Sequence, residues 1–152
     1  MKIKLFFLVS LVGSLVFSNC GTKTNPEEAQ QKAWEEVMVI HDEIMPWMGE
    51  LNSIASKIKA GLEVETQTEA VSEELRKALE ALEAADAGMW KWMNELKQLD
   101  KLRADKSADE IMTYLVDQKA AIAAVKAEME TSMAEGKKLL ELLSSGQNPE
   151  QQ

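Results

Sequence analysis

Apolar residues recur at alternating intervals of three and four along most of residues 26–144, the signature of helices with one buried stripe. The first stripe runs Trp34, Val37, His41, Ile44, Met48, Leu51, Ala55, Ile58 and Leu62. The second runs from Val71 and Leu75 through Leu82, Met89 and Trp92 to Leu96 and Leu99, and the third from Ile111 and Leu115 through Ile122, Val125 and Met129 to Leu139 and Leu143. Start signals precede each stripe. Asn25 stands before Pro26 as an N-cap, "TQTE" offers Thr66 and Glu69 as a capping box, and "DKSADE" offers Asp105 or Ser107 with Glu110. Gly146 follows the third stripe as a C′ residue.

The pattern predicts an all-α fold in one domain, an antiparallel up-down-up bundle with helices at about 26–60, 67–102 and 107–144. Each spans roughly 50 Å at about 1.5 Å per residue. Such helices are stabilised by closing their apolar stripes on one another. The same stripes permit coiled-coil packing between chains, so a homo-oligomer is a further expectation. Residues 146–152 read as a polar, disordered tail.

The first nineteen residues break the pattern. Lys2 and Lys4 precede the apolar run "LFFLVSLVGSLVF", which is too short for an ordinary spanning helix and suits a signal peptide. The run ends at "FSNC", and Cys20 is the single cysteine of the chain, which leaves it no disulfide partner. "FSNC" resembles the lipobox of bacterial lipoproteins, although Asn19 departs from the Gly or Ala usual before the cysteine. The resemblance covers only the leader. It implies removal of residues 1–19, acyl chains such as palmitate on Cys20, and a lipid-anchored protein of the bacterial envelope, at the outer membrane. Residues 20–25 then form a short tether.

The formal net charge is -9, and loss of Lys2 and Lys4 with the leader makes it more negative still. A surface of that sign repels nucleic-acid phosphates, so nucleic acid is not an expected partner. No Gly-rich phosphate loop, "HExxH" run or nucleophile elbow occurs, and an enzyme is not expected. No cofactor is implied.

"VMVIHDEIMPWM" is the most unusual stretch. His41 is the only histidine, and Met38 and Met45 flank it at helical spacing. A turn near residues 63–64 places His41 opposite Asp86, with Met89 one turn away. Two readings follow. His41 is a core residue hydrogen-bonded to Asp86 or Gln118; or Met38, His41, Met45 and Met89 form a soft-metal site for monovalent copper or silver, with Asp86 behind it. Pro46 removes a helical donor and predicts a bend. Trp47 and Trp90 lie off the stripes and are expected to meet a protein partner, whereas Trp34 and Trp92 belong to the core.

Overall fold

A computed structural model describes residues 25–64 and 68–145. The expected leader, the Cys20 anchor, most of the tether, the Thr66 cap and the tail lie outside the described residues. The described residues are predominantly helical, with no strand among them. The helices are α1 (Pro26–Ile44), α2 (Trp47–Leu62), α3 (Glu69–Glu95), α4 (Leu99–Asp105) and α5 (Ala108–Ser144). None is long and apolar enough to cross a membrane.

Two of the expected helices are therefore interrupted. The 26–60 span breaks at Met45 and Pro46, where proline has no N–H to donate. Both residues nevertheless keep right-handed helical angles, so the chain continues from α1 into α2. The 67–102 span breaks at residues 96–98 without glycine or proline. Leu96 and Gln98 take extended angles, and the Lys97 N–H donates to the Tyr114 hydroxyl at 2.8 Å. That bond ties the break to α5.

The starts of α1, α3 and α5 are set by side chains that accept from otherwise unpaired N–H groups. Asn25 accepts from the Glu27 N–H, and Ser107 with Glu110 completes a capping box for α5. For α3 the expectation needs correction: the N-cap is Thr68, whose hydroxyl accepts from the Val71 N–H at 3.3 Å.

The main core combines stripe residues of α1, α2, α3 and α5, with Val37, Ile44, Leu51, Ile58, Leu75, Leu82, Met89, Ile122 and Met129 wholly or almost wholly buried. A smaller core lies beneath α4. There Leu99 and Leu102 meet Ile111 and Leu115, with Trp34 and Tyr114 at its edge. Directions follow from side-chain pairs. Glu36–Lys119 and Glu43–Lys126 climb α1 and α5 in the same sense, at 2.8 and 2.6 Å. Lys59–Glu83 and Asn52–Asp86 climb α2 and α3 in opposite senses. Helix α5 touches each of the other four, and α2 also packs on α3.

Candidate functional site

His41 sits in the last turn of α1 because its stripe position turns it toward the core. Its side chain is 17% exposed, and Nδ1 lies 2.8 Å from Asp42 Oδ1. An ionised carboxylate only accepts, so Nδ1 is the donor of this bond. The ring lies against Trp92, with centroids 5.6 Å apart and planes inclined by 31°. Trp92 is buried, and among the described residues its indole N–H has no hydrogen-bond partner.

The register between the first two stripes differs from the expected one. His41 meets Trp92, and Asp86 lies farther along, where it accepts from Asn52 Nδ2 at 3.1 Å. The link from Leu62 to Glu69 is centred later than residues 63–64, which slides α3 relative to α1. Asp86 is thus not the partner of His41; its own neighbour Asp42 is. Adjacent helical residues point about 100° apart, which hides such a pair from a reading based on faces.

The four residues of the soft-metal reading occupy different surroundings. Met89 is fully buried in the main core, Met38 is half-buried, and Met45 is 37% exposed at the end of α1. Among the described residues, no three His, Cys, Asp or Glu side chains converge as a metal site.

The tryptophans also divide. Trp47 packs half-buried against the main core, and the Lys126 ammonium lies over its ring at 5.6 Å. The same ammonium pairs with Glu43, so α1, α2 and α5 are joined at the Pro46 break. Trp90 is 54% exposed and presents its ring to solvent. No family model matches the chain, and no curated protein or solved structure matches it.

Proposed function

We propose that the chain is a non-enzymatic lipoprotein of the bacterial envelope, anchored by acylated Cys20 at the outer membrane and presenting its helices at the membrane surface in a structural or protein-binding role. One observation carries this reading: a basic, then apolar leader ends at once in "FSNC", and Cys20 has no other cysteine to pair with. Several acyl chains on one residue give stable attachment where a single chain is marginal. Within this reading the helices form an up-down-up bundle of three rods. The first rod is α1 with α2, the second is α3 extended by α4, and the third is α5. The parallel α1–α5 pairs and the antiparallel α2–α3 pairs support it.

Of the two off-stripe tryptophans, Trp90 is the better partner anchor, because Trp47 is already engaged with the core and Lys126. The soft-metal alternative asks Met38, His41, Met45 and Met89 to surround one ion. The contrast between buried Met89 and exposed Met45 favours the packing role instead. The test of the anchor is the intact mass of the membrane-extracted protein. Loss of residues 1–19 with an added diacylglyceryl group is expected. Unmodified Cys20 in a soluble product overturns the reading.

A further inference from the structure

A shallow groove runs between α1 and α5 on the side away from α3, with a predominantly apolar floor. Its walls are in step. The Glu36–Lys119 and Glu43–Lys126 pairs are both 83 residues apart, so positions separated by that offset share a level. At one level Ala29 of α1 stands beside Met112 of α5, and at the next Ala33 stands beside Val116. Glu36 and Lys119 form the middle level. Beyond them the sizes reverse, with Ile40 on α1 beside Ala123 on α5. Every apolar level therefore pairs one large side chain with one alanine.

Helix α5 is apolar on more than its core-facing side. Ile111, Leu115, Ile122 and Val125 point inward, while Met112, Val116, Ala120 and Ala123 form a second stripe at helical spacing. Val116 in that stripe is 62% exposed.

We propose that this groove is where a second copy of the chain docks, in a parallel dimer whose two-fold axis runs along the helices. That symmetry sets α1 of one copy against α5 of the other at the same level. Met112 then faces the partner's Ala29, Val116 the partner's Ala33, and Ile40 the partner's Ala123. Each large side chain meets a small one, the arrangement that lets helices interdigitate. Glu36 faces the partner's Lys119 and Lys119 the partner's Glu36, so the middle level becomes a ring of alternating charge. An antiparallel two-fold docking instead brings Lys119 onto Lys119 and Glu36 onto Glu36, which like-charge repulsion opposes. Charge thus selects the parallel form. The face is small beside the roughly 800 Å² per partner of a standard interface, so the contact is weak and reversible. Parallel copies have their α1 N-termini at the same end, which suits two chains tethered to one membrane. Only that suitability rests on the proposed anchoring, because the contact itself does not need the lipid.

Two differently tagged full-length chains, one Ala33→Cys and the other Val116→Cys, are co-expressed and treated with a short bis-maleimide. Crosslinking is expected between the two kinds of chain and several-fold less within either kind, because α1 lies diagonally from the partner's α1. Adding Glu36→Lys to both chains should lower the yield several-fold, and adding Glu36→Lys with Lys119→Glu should restore it. Equal crosslinking of each variant with itself, no crosslinking, or indifference to both charge changes overturns the dimer. A chain with no engineered cysteine reports on Cys20 alone. Crosslinking there refutes acylation without bearing on the dimer.

Discussion

At Gly136 a methyl group would lie 2.7 Å from Ile54 Cγ2 and 3.3 Å from Leu82 Cδ1, both on opposing helices. Three helices approach closely there because α5 offers no side chain. Gly136→Ala is expected to destabilise the fold by about 1–3 kcal/mol through overpacking, outweighing the gain in helix propensity. Gly88 is the contrasting case, since its nearest atoms would lie 3.6 and 4.0 Å away, at ordinary contact distance. Gly88→Ala should stabilise by up to about 1 kcal/mol. Urea denaturation of the two variants checks the opposite signs. At Ser107 the backbone N–H and the hydroxyl both donate to Glu110, with Lys106 adding a third bond. Together they hold the Glu110 carboxyl down from an ordinary 4.5 to about 2. A folded pKa below the unfolded one contributes stability that is present above about 4.5 and is lost as pH falls toward 2. The first turn of α5 should therefore loosen across that acid window. Ser107→Ala should move the Glu110 titration, followed by carboxyl NMR, back toward its ordinary value.

Helix α4 shows how a short element is held. Seven residues cannot sustain a helix alone, so packing and side-chain bonds must do so. Leu99 and Leu102 supply the packing. Arg103 Nε donates to Gln30 Oε1 at 3.1 Å, and its Nη2 donates to the Glu27 carbonyl at 2.9 Å. Gln30 is one of two buried polar residues in the described core, and Arg103 is its donor. Arg103→Ala is expected to cost about 1–3 kcal/mol, because Gln30 Oε1 is left buried without that bond. Hydrogen exchange should show α4 opening before α3 in the variant. Apolar spacing predicted which stripe residues enter the core, including Val37, Leu51, Leu75, Met89, Ile122 and Met129. It also carried one helix straight through residues 96–98, because "ELKQL" contains no breaker and the Tyr114 bond that stabilises the break is long-range. Pro46 marked the place where the first helix is interrupted, although it was read there as a bend within one continuous helix. Around His41 the local facts were legible: the helical face and the neighbouring methionines. The cross-helix register was not, because link length and small shifts at the Pro46 break decide whether Asp86 or Trp92 stands opposite.

At the scale of the whole molecule, α5 is the common partner. Helices α1, α2, α3 and α4 all pack on it, and α2 with α3 is the other broad pairing among the described helices. Helix α5 also follows all four of them in sequence, beginning at Ala108. A chain ending at Ser107 should keep at most a marginal α2–α3 hairpin, with far-ultraviolet circular dichroism well below that of the full protein. Retention of most of the helical signal in that truncation would show that α5 is not needed for folding. The position of α5 bears on when the chain can fold. While residues 1–107 are being synthesised, α1 and α4 lack the surface that buries their stripes, so the emerging polypeptide stays open and threadable. Completion of the fold waits for α5, and under the proposed lipoprotein reading that wait is the interval in which a leader would engage a translocation channel. An order of synthesis in which the shared partner follows the helices it joins thus acts as a built-in delay on folding.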